Sequence, residues 1–257
     1  MEGAREAIAG GLVHLAKDET GSTNDDALTA LREGRKAPFW VTARMQKDGR
    51  GRHGRVWTSP PGNMHATLAL VEPCEQRHAA QFGYLIGLAL HDAIAEIVPA
   101  HATRVRLKWP NDVLVDGAKI AGMLLEGHHT RDGRFALIIG IGANIAFTPD
   151  DTPYPAARLA DLAADVTPEV LFDALARAFA RRFARWRQAS DVALALAALR
   201  EDWLARAHGL DGNVTIRLPD GPRQGRFVGL DGDGRLLLLT EGGVQTIDAG
   251  DLYFAGM

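Results

Sequence analysis

The sequence predicts an α+β fold, a largely antiparallel mixed sheet flanked by helices and followed by a small β-barrel, and three observations lead there. Apolar residues recur at helical spacing across residues 78–98, among them Phe82, Leu85, Ile86, Ala89 and Leu90. Short runs of β-forming residues are joined by turn signals, above all Asp116-Gly117. From Gly212 onward the texture changes to short strands separated by Asp220-Gly221, Asp231-Gly232-Asp233-Gly234 and Glu241-Gly242-Gly243. The expected division is a large domain over residues 1–209 and a β-barrel, resembling SH3-like modules, over residues 210–257.

Taken in order, Leu12-Val13-His14-Leu15 reads as the first strand, preceded by about eleven residues. In Gly21-Ser22-Thr23-Asn24-Asp25-Asp26, Ser22 or Thr23 can cap a helix running to Gly34, and the acids suit its dipole. Hydroxyls and free amides at a helix start also meet ligands, so Ser22 and Thr23 are either an ordinary cap or part of a site. The apolar runs Phe39-Trp40-Val41-Thr42-Ala43 and Ala66-Thr67-Leu68-Ala69-Leu70-Val71 read as strands on either side of a basic loop. After the buried helix, Val105-Arg106-Leu107-Lys108, Val113-Leu114-Val115, residues 119–126 and residues 135–141 add strands. Thr167-Pro168-Glu169 opens a helix whose apolar stripe is Leu171, Leu175, Phe179 and Phe183. Arg177, Arg181, Arg182, Arg185 and Arg187 are expected on its solvated face, and a second helix is expected over residues 191–208.

A chain of 257 residues, 46% hydrophobic and 24% charged, can bury a substantial core. A net charge of -3 argues against nucleic acid as the main partner. Cys74 is the only cysteine, which excludes an internal disulfide framework and a multi-cysteine zinc site. The amino terminus lacks a secretory pattern, and no apolar run approaches the ~20 residues that span a bilayer. A cytoplasmic protein with no membrane partner is expected.

The most informative stretch is Gly49-Arg50-Gly51-Arg52-His53-Gly54-Arg55-Val56-Trp57. Glycine lets the backbone approach a ligand, and arginine offers a fork of donors matched to carboxylate and phosphate oxygens. No acid occurs between Asp48 and Glu72, so nothing nearby in sequence neutralises the three arginines, and the loop is expected to be mobile until an anion arrives. Trp57 adds a flat face for an aromatic ring.

Lys108-Trp109-Pro110-Asn111-Asp112 places a cation, an indole and two polar side chains at a hairpin rim, with proline interrupting the ladder. Asn111 can meet an adenine edge or a phosphate-bound metal, and Asp112 can help hold Mg²⁺. Lys119, followed by Ile120-Ala121-Gly122, can neutralise a carboxylate or phosphate if it faces a pocket. In Gly140-Ile141-Gly142-Ala143-Asn144 the alternate glycines either relieve crowding or admit a ligand, and no third glycine opens a dinucleotide-binding helix.

Together, Ser22-Thr23-Asn24, Gln46 with the glycine/arginine loop, Lys108-Trp109-Pro110-Asn111-Asp112, Lys119-Ile120-Ala121-Gly122 and Gly140-Ile141-Gly142-Ala143-Asn144 resemble the ordered motifs of biotin protein ligases. The resemblance runs from about Leu12 to the carboxyl end and includes the small barrel. It implies a class II synthetase/biotin ligase-like fold and a two-step reaction with biotin and ATP as substrates and Mg²⁺ as the metal. Biotin's carboxylate attacks the α-phosphorus of ATP, and a lysine of a biotin carboxyl carrier protein then takes the biotinyl group as AMP leaves.

The resemblance also implies roles. Ser22, Thr23, Asn24, Gln46, Gly49, Arg50, Arg52, Lys119 and Gly122 match biotin-side positions. Arg52, Arg55, Trp57, Lys108, Asn111 and Asn144 match the nucleotide side, Arg52, Lys108 and Lys119 being the catalytic set and Asp112 the metal candidate. His65 and Ala143 depart from the family pattern and are expected to alter pocket shape more than chemistry. The residues before the first strand are too few for a helix-turn-helix module, so neither DNA binding nor a repressor role is expected.

Two other readings compete. Lipoate or octanoate ligases share the general fold, but their acyl chains lack the ureido ring that Ser22, Thr23 and Gln46 suit. A non-catalytic biotin or nucleotide sensor would not need Arg52, Lys108, Asn111 and Lys119 together, and ATP consumption separates it. An exposed sheet edge could support a homodimer.

Overall fold

A computed structural model describes residues 5–149, 152, 154–248 and 250–254, with the backbone alone for residues 251–254. Its centre is an eight-stranded sheet built from β1 (Arg5–Ala9), β2 (Leu12–Thr20), β3 (Phe39–Gln46), β4 (Met64–Val71), β5 (Val105–Lys108), β6 (Asp112–Val115), β7 (Ala118–His129) and β8 (Phe135–Ala143). The strands lie in the order β1-β2-β3-β4-β8-β7-β6-β5. Only β2 and β3 pair in parallel, because helix α1 (Thr23–Arg32) carries the chain back between them. Every other neighbouring pair is antiparallel, as the hairpin signals predicted.

Helices cover both faces. Ala27, Ala30 and Leu31 of α1 pack on Leu15, Phe39, Val41, Ala69 and Ile138. Trp40, one residue out of phase, points to the other face, where it meets Phe172 and Phe179 edge-on. Those rings belong to α3 (Pro168–Gln188), which packs against α2 (Phe82–Ile97), as does α4 (Val192–Leu204). Strands covered on both faces lose their polar alternation, which is why β4 reads as a continuous apolar run.

Two expectations need correction. The strand that begins at Leu12 is the second and not the first, since residues 5–9 form β1 and pair with it. The turn is Gly10-Gly11, with φ of 56° and 79°, a left-handed pair that glycine adopts without strain. Four of the five β1 residues are exposed, so this edge strand carries no apolar pattern by which to find it. Arg182 is not on a solvated face either, because its side chain is only 15% exposed and bridges Asp92 and Asp202 at 2.7 Å each. Burial opposes ionisation of Asp92, but nearby His91, 3.7 Å away, and the hydrogen bond from Arg182 hold its carboxyl down at about 2.

The chain ends in a second sheet, β9 (Asn213–Leu218), β10 (Gly221–Leu230), β11 (Leu236–Thr240), β12 (Gly243–Ile247) and β13 (Asp251–Phe254), in the order β12-β11-β10-β9-β13. All its pairings are antiparallel. Val214, Ile216, Phe227, Leu236 and Leu238 join the core of the large sheet. The β10–β11 turn docks on the helices, where Tyr84 donates to Gly234 O and Arg200 donates to Gly232 O at 2.9 Å. No described helix is long and apolar enough to cross a membrane.

Candidate functional site

The cleft opens on the α1 face between the loop after β3 and the floor made by β7 and β8. Its inner end is a neutral cup. Ser22 and Thr23 stand at the start of α1, buried, and Ser22 makes no capping bond with its side chain. Gln46, at the end of β3, accepts through Oε1 from the Thr23 backbone N–H at 2.9 Å and donates through Nε2 to Ser59 Oγ at 3.0 Å. Asn24 donates to Glu126 at 2.6 Å, and Thr67 donates to Asn24 Oδ1 at 2.6 Å.

The outer end is a cationic rim. Arg50, Arg52, Arg55, Lys108 and Lys119 line the cleft with Asp112 as the only acid among the described lining residues. Lys119 Nζ lies 2.6 Å from Asp112 Oδ1, each side chain 14% exposed. It also sits 5.4 Å from the Trp57 ring and 5.1 Å from the Tyr154 ring, a cation between two aromatic faces. Lys108 lies over the same tyrosine at 5.9 Å. Trp57 packs so close to the floor that a Cβ at Gly142 would come within 2.3 Å of its indole, so the strand glycines admit a ring.

The loop itself is folded as a narrow hairpin. Trp57 N donates to Gly49 O at 2.9 Å, Gly51 N donates to Arg55 O at 2.7 Å, and His53 and Gly54 turn the chain with positive φ. Arg50 is neutralised after all, by bidentate bonds of 2.7 and 2.8 Å to Asp25 of α1. The Arg50 hydrogen bond holds the Asp25 carboxyl below its ordinary range. This partner was invisible in the local sequence because it lies 25 residues away. Arg52 reaches across the cleft, donating to Gly250 O at 3.2 Å and approaching Asn111 Oδ1 at 3.5 Å.

A neutral hydrogen-bonding cup joined to a cationic rim can seat a polar ring at one end and bring two anionic groups together at the other. The motifs that build it are those of a known family. Residues 19–144 match the Biotin/lipoate A/B protein ligase family, and residues 209–254 match the Biotin protein ligase C terminal domain. The chain belongs to the biotin protein ligase family. It is 39% identical over 239 residues to the biotin–[acetyl-CoA-carboxylase] ligase of Paracoccus denitrificans, covering 92% of this chain and 98% of that one. To the Mycobacterium tuberculosis enzyme of the same name it is 31% identical, over 91% of this chain and 86% of the other. Among solved structures it resembles the Aquifex aeolicus biotin protein ligase in complex with biotin and ATP, with a TM-score of 0.77, 26% identity and coverage of 93% and 97%.

In this ligase most of the residues singled out from sequence converge on the cleft: Ser22, Thr23, Asn24, Gln46, Arg50, Arg52, Arg55, Trp57, Lys108, Asn111, Asp112, Lys119 and Gly122. Gly49 and Asn144 stand behind it. The Gly49 carbonyl closes the loop hairpin, and the Asn144 amide donates to Ala157 O at 3.3 Å. Sequence reasoning passed over Tyr154, Ser59, Thr67 and Glu126. Tyr154 lies in an irregular segment without a pattern, and the other three look ordinary until the fold brings them together.

His65, marked as a departure in the sequence, pairs across from Gly142 and is 1% exposed, with Nε2 3.2 Å from Pro60 O. Burial pushes its pKa down. It therefore supports the segment under the loop and does not line the cleft.

Proposed function

We propose that this ligase activates biotin with ATP, forming biotinyl-5′-AMP and pyrophosphate, and transfers the biotinyl group to a lysine of a biotin carboxyl carrier protein. The observation that carries the reading is the meeting, in one cleft, of the uncharged Ser22–Thr23–Gln46 cup with five basic side chains and one acid. The cup suits a ureido ring, which has both N–H donors and a carbonyl acceptor. The rim suits a carboxylate facing a triphosphate, whose repulsion Arg52, Lys108 and Lys119 would offset.

In the first step a biotin carboxylate oxygen bonds to the α-phosphorus while its bond to the bridging oxygen breaks and pyrophosphate leaves. In the second, the lysine amine attacks the acyl carbonyl, loses a proton and expels AMP. Lys119 is assigned to the carboxylate end and Arg52 to the adenylate phosphate. Trp57, Arg55 and Asn111 are assigned to the nucleotide, with Trp57 lying against adenine. Loop closure would keep water from the adenylate.

Mg²⁺ is assigned as part of the nucleotide substrate. Asp112 is already bridged to Lys119, and no three His, Cys, Asp or Glu groups come together among the described residues. That donor set fits a cation held mostly by phosphate oxygens and water.

The proposal extends to a division at residues 209/210, with the second sheet a barrel of the SH3-like kind, and to a cytoplasmic protein without a repressor role. The open β1 edge is where a second copy would extend the sheet, since β5 is capped by a bridge from Leu107 to Ala207.

The test is ATP–pyrophosphate exchange with purified protein, Mg²⁺ and biotin, run beside lipoate and octanoate. Exchange with biotin alone supports the reading. Exchange with another acid moves the substrate class, and exchange with none makes the protein a sensor.

A further inference from the structure

Tyr154 enters the cleft from an irregular segment, yet its ring is placed by the very residue it faces. Lys119 N donates to Pro155 O at 2.8 Å, Lys119 O accepts from Ala157 N at 2.9 Å, and Lys119 and Ala156 form a parallel bridge. Asn144 fastens the same segment from behind, its amide donating to Ala157 O at 3.3 Å and its carbonyl accepting from Leu159 N at 3.0 Å. On the other side of the ring's residue, Thr152 donates to Tyr154 O at 2.6 Å. The backbone of Lys119 thus holds the chain just after Tyr154, and the ammonium of Lys119 ends 5.1 Å from the Tyr154 ring.

Lys108 reaches the same ring, at 5.9 Å, from the end of β5, and β6 separates that strand from the one carrying Lys119. Two ammonium groups gathered at one place repel, and Asp112, 2.6 Å from Lys119, is the only acid among the described lining residues. A second carboxylate would offset that repulsion, but it would also repel the anions the rim has to accept. An aromatic face does the first without the second, because its negative potential belongs to a ring with no net charge. The positive charge of both lysines stays available to a ligand.

We infer that Tyr154 is a positioning residue, its ring gathering the Lys108 and Lys119 ammonium groups and offsetting their repulsion so that both face the reacting anions together. The inference rests on the reading of the site as one that joins a carboxylate to a nucleotide. The gain is largest where the two anions are closest, in the transition state, so it belongs to kcat more than to substrate binding.

The experiment is steady-state ATP–pyrophosphate exchange on the full chain, varying biotin and ATP separately. Tyr154→Leu removes the ring face, and kcat is expected to fall about tenfold while KM for ATP stays within about twofold. Tyr154→Phe keeps the face and is expected to hold kcat within about twofold of the parent. Phenylalanines carrying one, two and three ring fluorines at position 154 keep nearly the same shape while draining the negative potential of the face. With these, kcat is expected to fall step by step toward the value of Tyr154→Leu, which a ring that merely fills space would not produce.

A kcat that is flat across the fluorinated series, a loss in Tyr154→Phe as large as in Tyr154→Leu, or a loss confined to KM for ATP, as a ring packed on the base would give, overturns the inference. A parent protein without biotin-dependent exchange overturns the functional reading instead.

Discussion

The two ends of the cleft are built on opposite principles. In the cup the polar groups satisfy one another, Thr23, Asn24, Thr67 and Gln46 each bonded within the protein before any ligand arrives. At the rim, charges of one sign are crowded, with Asp112 the only acid among five basic lining residues. Preorganised neutral bonds give direction at small net energy, whereas an excess of one sign of charge gives large energy with little direction. Recognition of a ring belongs to the first and neutralisation of anions to the second, and each can be broken separately.

The largest effect is expected at the rim. Lys119→Ala removes the cation held between Trp57, Tyr154 and Asp112 and leaves the Asp112 carboxylate without its 2.6 Å partner. A fall in exchange rate of about 10²–10³-fold is expected with an unchanged far-ultraviolet circular dichroism spectrum. Normal turnover would remove Lys119 from the chemistry.

Next comes the cup. Gly140→Ala forces the Asn24 amide aside and leaves buried polar groups unpaired, which costs about 1–3 kcal/mol, or about 5- to 150-fold in KM for biotin, with KM for ATP unchanged. Equal losses for both substrates would erase the distinction between cup and rim.

Arg52→Gly sharpens the comparison from the loop side. It removes the link to Gly250 O and the cation assigned to the adenylate phosphate, so biotinyl-5′-AMP is expected to escape about tenfold faster in a rapid-dilution release assay. Adenylate retained as firmly as in the parent would argue against loop closure.

The smallest effect concerns acid. Burial lowers the pKa of His65 and of His14 from 6.5, so each takes up its proton more readily in the unfolded chain than in the folded one. Stability from these groups is present above about pH 6.5 and declines as pH falls from there toward their folded pKa values. A thermal melt of His65→Phe is expected to lose less between pH 7 and pH 5.5 than the parent does, and parallel curves would remove His65 from the acid response.

Much of this could be read along the chain. The caps of α3 and α4 are local, with Thr167 accepting from Val170 N and Asp191 from Ala193 N. So is the Asp116-Gly117 turn between β6 and β7, both residues having positive φ. The basic loop and the Lys108–Asp112 run stood out because their composition is hard to explain by packing. What stayed hidden was whatever depends on distant partners. Strand β1 is too exposed to show a pattern, and Arg182 looks like its neighbours until α2 and α4 bring Asp92 and Asp202 to it.

Turn chemistry, periodicity and charge are properties of short segments, and so the class of the fold, the order of most elements and the residue types that meet an anion could be read along the chain. Only packing shows that Arg50 is neutralised by Asp25, that Lys119 stands between two rings, and that Glu126, Asn24, Thr67 and Thr23 meet under the cup. The physical reason is that hydrogen bonds and ion pairs act over a few ångströms of space. Asn24 and Glu126 are 102 residues apart in the chain and 2.6 Å apart in the fold, and only the packing of the sheet beneath α1 makes that conversion.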